Sequence, residues 1–276
     1  MSQQAIDAVK SYYNTKVESF FDVWGGEHIH YGIYHDDQES LSEASQRTVE
    51  NMYALLTDVP ANANVLDLGS GFGGASRFLT GKGHRVTCVD VSSENNRINR
   101  QLSAEQGIDA ITILEEPFES LSLPDKTFDV VWSQEAICHS AALEKVFSEA
   151  LRVLKAGGEF VLGNTCCSES IPADVLEKLN QRNPMTLQTI DFHSKLAMSL
   201  GFEESVCMDM SDQLSLHYSK MLQEARAKEA VMVARDGQAY FDRVVRGLAY
   251  WMHMCDEGYL AWGIWKFVKP SIEGAQ

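Results

Sequence analysis

The chain has 276 residues, 45% of them hydrophobic, and a formal net charge of −16. That length suits one large domain, or one and a half, with a sizeable core, while the acidity disfavours nucleic acid and anionic membrane as partners, since both need a basic surface. No apolar stretch approaches the roughly 20 residues of a membrane helix, residues 1–10 lack a signal-peptide centre, and the six cysteines form no C-x-x-C pair, so neither a disulfide framework nor a zinc site is indicated and a reducing cytoplasm is expected.

Residues 3–23 read as helix and carry Tyr12, Tyr13, Phe20 and Phe21. A compact segment, Trp24-Gly25-Gly26-Glu27-His28-Ile29-His30-Tyr31-Gly32-Ile33-Tyr34, follows. His28 and His30 would share one strand face, with His35 close by. No acidic or cysteine ligand stands at a fixed spacing from them, so no metal is expected. A helix spans about 42–56, and Pro60 and Asn62 mark a loop.

Val65-Leu66-Asp67-Leu68-Gly69-Ser70-Gly71-Phe72-Gly73-Gly74 then reads as strand, glycine turn and helix start. Gly69, Gly71 and Gly74 fit the G-x-G-x-x-G dinucleotide pattern. Gly69, Gly71 and Gly73 fit the tighter G-x-G-x-G loop of S-adenosylmethionine sites. Asp67 decides between them. A carboxylate two residues before the first glycine repels a pyrophosphate seated on the helix N-terminus, but suits a ligand carrying a sulfonium and an ammonium. Arg85 to Val91 is a second strand with Asp90 near its end, 21 residues after Gly69, where an acidic residue takes ribose hydroxyls; helix capping is the plainer alternative for Asp90. A helix from Ser93 to Gln106 ends at Gly107. Ile111 to Leu114 is a third strand, and the Glu116-Pro117-Phe118 turn beyond it falls where an adenine would lie, with Phe118 either stacking on it or packing in the core.

Phe128 to Ser133 is the fourth strand and runs into Trp132-Ser133-Gln134-Glu135-Ala136-Ile137-Cys138-His139. Glu135 and His139 stand at i and i+4, so a helical turn puts them on one face at the carboxyl end of a central strand. A histidine there can take a proton or orient an amine; a surface Glu/His pair is the plainer reading. A helix at 143–154 closes at Gly157-Gly158, and Glu159 to Gly163 is the fifth strand. Beyond Asn164, residues 172–182 and 189–200 read as helices and Gly201 to Met208 as a strand. A helix-rich stretch at 211–255 precedes a last strand, Tyr259 to Val268.

The β-α alternation implies an α/β fold, a Rossmann-like doubly wound parallel sheet with ligands at the carboxyl ends of the strands. The chain reads as one domain, 1–276. It divides into an N-terminal helical cap (1–58), a cofactor-binding core (59–210), an inserted helical cap (211–258) and a final core strand (259–270).

These segments resemble the class I S-adenosylmethionine-dependent methyltransferases, and more narrowly the sarcosine/dimethylglycine N-methyltransferases of the glycine betaine pathway. The resemblance is carried by the Trp24–Tyr34 segment, by Trp132 to Ser140, by Leu216-His217-Tyr218-Ser219-Lys220, and by Arg246-Gly247-Leu248 with Trp251, Trp262 and Gly263. It spans nearly the whole chain and is partly shared with phosphoethanolamine methyltransferases. It implies that His30 holds the methionine end of the cofactor and that Gln134 lies close to it. It also implies that Glu135 and His139 face the substrate amine, with His139 catalytic. The phosphoethanolamine enzymes pair that histidine with an N-terminal tyrosine; Phe20 matches the position, and Tyr12 or Tyr13 is the substitute.

The expected cofactor is S-adenosyl-L-methionine, held by His30, Asp67, Gly69, Ser70, Gly71, Gly73, Asp90, Val91, Pro117, Phe118, Ser133 and Gln134. Catalysis is expected from His139 and Glu135. Substrate contacts are expected from Trp24, His28, Tyr31, Trp132, Asn164, His217 and Tyr218, since an aromatic wall suits a quaternary cation. Arg182, Lys195, His28 and His217 are alternatives for holding a substrate carboxylate. The expected partner is a small-molecule amine, with sarcosine or dimethylglycine going to the osmoprotectant glycine betaine, and the expected state is a monomer or homodimer. Other acceptors, a nicotinamide dehydrogenase and a non-catalytic binding protein are the rival readings. The acidic composition fits either solubility or adaptation to high salt.

Overall fold

A computed structural model describes residues 3–15, 17–182 and 184–271, the side chains of 3–5 and of Arg182 aside. Arg182 as a carboxylate partner therefore lies outside the described residues. The expected first helix is two, α1 (Gln3–Asn14) and α2 (Val17–Val23), and α3 follows at Leu41–Ala54. Ser40 and Glu43 form a capping box that starts α3, satisfying backbone donors that the first turn leaves unpaired.

The core then alternates: β1 (Asn64–Leu68), α4 (Gly74–Gly81), β2 (Arg85–Val89), α5 (Ser93–Glu105), β3 (Thr112–Leu114), β4 (Phe128–Gln134), α6 (Leu143–Val153) and β5 (Leu154–Cys167). After it come α7 (Ala173–Arg182), α8 (Ile190–Ser199), β6 (Glu203–Asp209), α9 (Leu214–Ala227), α10 (Glu229–Asp236), α11 (Gln238–Asp256) and β7 (Leu260–Val268). β5 is far longer than the expected five residues. It runs through Gly157-Gly158, where its register against β4 jumps from Phe128↔Leu154 to Val130↔Glu159, so the glycines bulge the strand instead of ending the preceding helix.

One seven-stranded sheet has the order β3-β2-β1-β4-β5-β7-β6. The pairs β1–β2, β2–β3, β1–β4 and β4–β5 are parallel. The sheet is not parallel throughout: β7 is antiparallel to both β5 and β6. The cause is the α9–α11 insertion, which leaves from the carboxyl end of β6 and returns the chain at that same edge, with Leu260 opposite Cys167, so β7 has to run back down the sheet. Val65, Leu66, Val130, Val131, Val161 and Leu162 are fully buried, as expected of strands covered by helices on both faces.

The two caps are tied to each other. Arg235 of α10 pairs with Asp22 of α2 at 2.9 Å and donates to Ser19 Oγ at 2.7 Å. Tyr31 and Tyr218 share a hydrogen bond at 2.9 Å. Residues of α1, α2, α9 and α11 line cavities together with residues that follow β1, β2 and β4.

Candidate active site

The loop between β1 and α4 forms the floor of the first cavity. Gly69 has φ +71°, and a Cβ there would be driven into that of Ala136. Gly73 has φ +78°, and a Cβ there would collide with the Asn99 amide. Both positions need glycine for backbone angle and for space. The Gly71 N–H donates to Asp90 Oδ2 at 2.9 Å and the Ser92 N–H to Asp90 Oδ1 at 2.7 Å, which fixes the carboxylate at the end of β2 and leaves further lone pairs for a ligand. Asp67 is buried and accepts from Ser76 Oγ at 2.5 Å. Burial pushes its carboxyl up to about 7, against the pull of that hydrogen bond.

His30, Asp67, Gly69, Ser70, Gly71, Asp90, Val91, Phe118 and Gln134 line this cleft, beneath Ile6, Val9 and Tyr13 of α1. Three buried polar atoms on its wall, Ser70 Oγ, Gln134 Nε2 and Glu135 Oε2, have no hydrogen-bond partner. Buried polar atoms seldom stay unpaired, so the cleft suits a ligand with polar and cationic groups. Gly73 serves the turn without facing the cleft, Pro117 stays off the wall, and Ser133 points away, donating to the Leu68 carbonyl at 2.8 Å.

His28 faces the same cleft and not the neighbouring cavity. Its Nδ1 lies 3.1 Å from His30 Nε2, and His30 Nδ1 lies 3.1 Å from the Tyr31 carbonyl. A carbonyl only accepts, so His30 carries its proton on Nδ1 and offers Nε2 to His28. Burial lowers the pKa of both rings. His35 stands apart, exposed beside Glu39.

A second cavity, of about 520 Å³, adjoins the cleft and shares Tyr13, Ile29, Glu135 and His139 with it. Trp24, Tyr31 and Tyr218 line it, joined by Tyr12, Phe20, Tyr240 and Trp251. Trp251 stacks on Tyr218 at 6.1 Å. Trp132, Asn164 and His217, also expected at the substrate, do not line this cavity. Trp132 is fully buried and its indole donates to Gln134 Oε1 at 2.9 Å. Asn164 accepts from the Cys138 N–H at 3.0 Å and meets His193 at 3.0 Å. His217 Nδ1 accepts from the Gly32 N–H at 3.1 Å and from Tyr34 Oη at 2.9 Å. Lys195 is exposed and paired with Asp191 at 2.6 Å.

Glu135 and His139 both face the junction of the two cavities, though not through an α-helical turn. Glu135 adopts φ +47°, and a 3-10 turn, Ile137–His139, follows. The Glu135 N–H is held by the Gly163 carbonyl at 2.9 Å and its Oε1 accepts from Trp262 Nε1 at 2.7 Å. Burial pushes its carboxyl up to about 8. His139 Nδ1 lies 2.7 Å from the Pro184 carbonyl, and its Nε2 lies 2.8 Å from Tyr13 Oη. Nδ1 therefore holds the proton and Nε2 is a free base that accepts from the phenol. Burial lowers the pKa of His139 and raises that of Tyr13, so both are neutral near pH 7. The partner of His139 is thus Tyr13; Tyr12 and Phe20 pack edge-on and tilted against its ring.

A family model described as "Methyltransferase domain" matches residues 66–162. The chain is similar to a sarcosine/dimethylglycine N-methyltransferase of Halorhodospira halochloris, 37% identical over 271 residues, covering 96% of this chain and 97% of the relative. It is 39% identical over 254 residues to one of Aphanothece halophytica, covering 91% and 92%. A solved structure from Galdieria sulphuraria, provisionally named a sarcosine dimethylglycine methyltransferase, superposes with a TM-score of 0.87 at 31% identity, covering 94% of this chain and 99% of that one.

Proposed function

The chain belongs to the class I S-adenosylmethionine-dependent methyltransferases, and from that footing we propose that it N-methylates sarcosine and dimethylglycine to glycine betaine. The observation that carries the reading is the meeting of the cofactor cleft and the aromatic cavity at Glu135 and the Tyr13–His139 pair. The names of its relatives point to the same acceptors.

The cofactor fits the cleft on two counts. The glycine turn puts no Cβ at Gly69, Gly71 or Gly74 on the wall of the cleft, and the unpaired Ser70, Gln134 and Glu135 atoms await polar partners. Asp90 would hold the ribose hydroxyls and His30 the methionine end, with Asp67 beneath the loop. Bound S-adenosylmethionine supplies an activated methyl group on a sulfonium. The residues of the chain then have two tasks: to align the amine and to strip its proton, because an ammonium has no lone pair to attack with. Tyr13 Oη can accept the ammonium proton while passing its own to His139 Nε2, with Nδ1 staying bonded to the Pro184 carbonyl. Glu135 in its charged form faces the growing positive charge on nitrogen. Trp24, Tyr31 and Tyr218 give that cation aromatic faces.

The test is transfer of labelled methyl from S-adenosylmethionine to glycine, sarcosine, dimethylglycine and phosphoethanolamine, run on the wild type and on Tyr13→Phe. Sarcosine and dimethylglycine should be labelled, and Tyr13→Phe should lower turnover by about 10²-fold or more with cofactor affinity retained. Label on none of the amines removes the betaine reading. Unchanged turnover in Tyr13→Phe removes the proton route.

A further inference from the structure

An N-methylated amino acid carries a carboxylate as well as an amine, and an aromatic cavity has to answer both charges. Among the described residues, the acceptor cavity is lined by one carboxyl, Glu135, and by one lysine or arginine, Arg243. Arg243 belongs to the face of α11 that also turns Tyr240, Val244, Gly247, Leu248 and Trp251 toward the cavity, a spacing of three and four residues that keeps them on one side of a helix. Trp251 is buried deeper, stacked on Tyr218. Arg243 lies two helical turns away, exposed toward solvent, so that face runs from an aromatic inner end to a cationic rim.

The guanidinium itself is free for a ligand. Its carbon lies 4.9 Å from the centre of the Tyr240 ring, a stacking contact that orients the guanidinium plane without using its N–H donors. Arg47, Arg77, Arg152 and Arg235 are each ion-paired to a carboxylate. Arg243 has no ion pair or hydrogen bond among the described residues, in a chain with 39 acidic side chains against 23 basic ones.

We propose that Arg243 is the anion anchor of the acceptor site: its guanidinium takes the carboxylate of the amino acid through two parallel N–H bonds, and so directs the amine inward to Glu135, Tyr13 and His139. This rests on the acceptor reading above. The site then matches a zwitterion end for end. A single guanidinium fork also fits a carboxylate of one negative charge and a planar pair of oxygens. A phosphate monoester carries closer to two charges and a third oxygen, and the described walls supply no second lysine or arginine for it. The charge count therefore favours a carboxylate acceptor over a phosphorylated one. Lys195, His28 and His217, considered from the sequence, do not line this cavity, and Arg182, considered with them, lies outside the described residues.

The experiment measures kcat and KM for dimethylglycine, for N,N-dimethylethanolamine, which has a hydroxyl in place of the carboxylate, and for the phosphate ester of N,N-dimethylethanolamine. It uses wild type, Arg243→Gln, Arg243→Lys and, one turn along α11, Arg246→Ala, with cofactor affinity measured alongside. Arg243→Gln should raise KM for dimethylglycine roughly 10- to 100-fold, the loss expected for a charge-assisted pair, while kcat, cofactor affinity and the kinetics of the hydroxyl analogue change little. Arg243→Lys should fall between, and Arg246→Ala should behave as wild type. A wild-type KM for dimethylglycine in Arg243→Gln overturns the anchor and leaves the acceptor reading standing. A wild type that methylates no carboxylate-bearing amine overturns both, and a wild type that prefers the phosphate ester, with Arg243 required, overturns the carboxylate assignment.

Discussion

Glu135 concentrates the chemistry of this molecule in one residue. It follows directly on β4, adopts a left-handed backbone conformation that non-glycine residues rarely take, and presents an unpaired buried oxygen between two cavities. Burial holds its carboxyl near 8, so it is largely protonated at pH 7 and becomes the anion that suits a cationic acceptor only as pH rises. His139, lowered by burial, is already a free base in that range. With saturating cofactor, kcat/KM for dimethylglycine should therefore climb between about pH 7 and pH 9 more steeply than the ionisation of the amine explains, and Glu135→Gln should keep only the amine's own slope. Parallel profiles in the two proteins would assign the whole rise to the substrate. The residue types were visible in the sequence, but their partners were not. Nothing local distinguishes Tyr13 from Tyr12 as the partner of His139, because the choice depends on which phenol α1 turns toward a loop 126 residues away. Trp132, Asn164 and His217 read as substrate contacts for the same reason: their chemistry suits a site, yet the fold spends it on Gln134, Cys138 and Gly32.

At the scale of elements, the unit β1, glycine loop and α4 was the most legible part of the chain, since the turn can be built only by residues that tolerate φ above zero and have no side chain. Gly69→Ala tests this. A left-handed alanine and a clash with Ala136 together should cost about 2–4 kcal/mol in chemical denaturation, and cofactor affinity should fall more than tenfold by titration. Wild-type stability and affinity would show that the loop relaxes freely. The parallel strands β1 to β5 were legible as apolar runs broken by turns. The reversal of β7 was not, because an apolar strand buried on both faces carries no mark of its direction; that is imposed by where α9–α11 leave the chain. That residues 1–58 form a helical cap is a reading of the sequence, but which side chains of α1 face the cofactor cleft, Ile6, Val9 and Tyr13, was hidden in an ordinary amphipathic pattern.

At the scale of the whole molecule the dominant quantity is the net charge of −16. Many surface carboxylates are paired, as in Glu149 and Asp125 with Arg152, but the excess remains and repels itself in the compact state. Raising sodium chloride from about 0.1 M to about 1 M shortens the screening length from about 10 Å to about 3 Å, so the thermal midpoint should rise by a few degrees; a flat or falling midpoint would mean that the acidic surface does not limit stability. Among the described residues no helix is long and apolar enough to cross a membrane. The sequence by itself determined the α/β class, the glycine turn with Asp67 and Asp90, and hence the cofactor, because those depend on backbone angle, spacing and charge within short stretches. Only the tertiary structure decided the acceptor cavity, the Tyr13–His139 pair and the place of Arg243. Each of these is made by residues far apart in the chain, brought together by two helical caps closing over the carboxyl edge of one sheet, and that closure is written in no single segment.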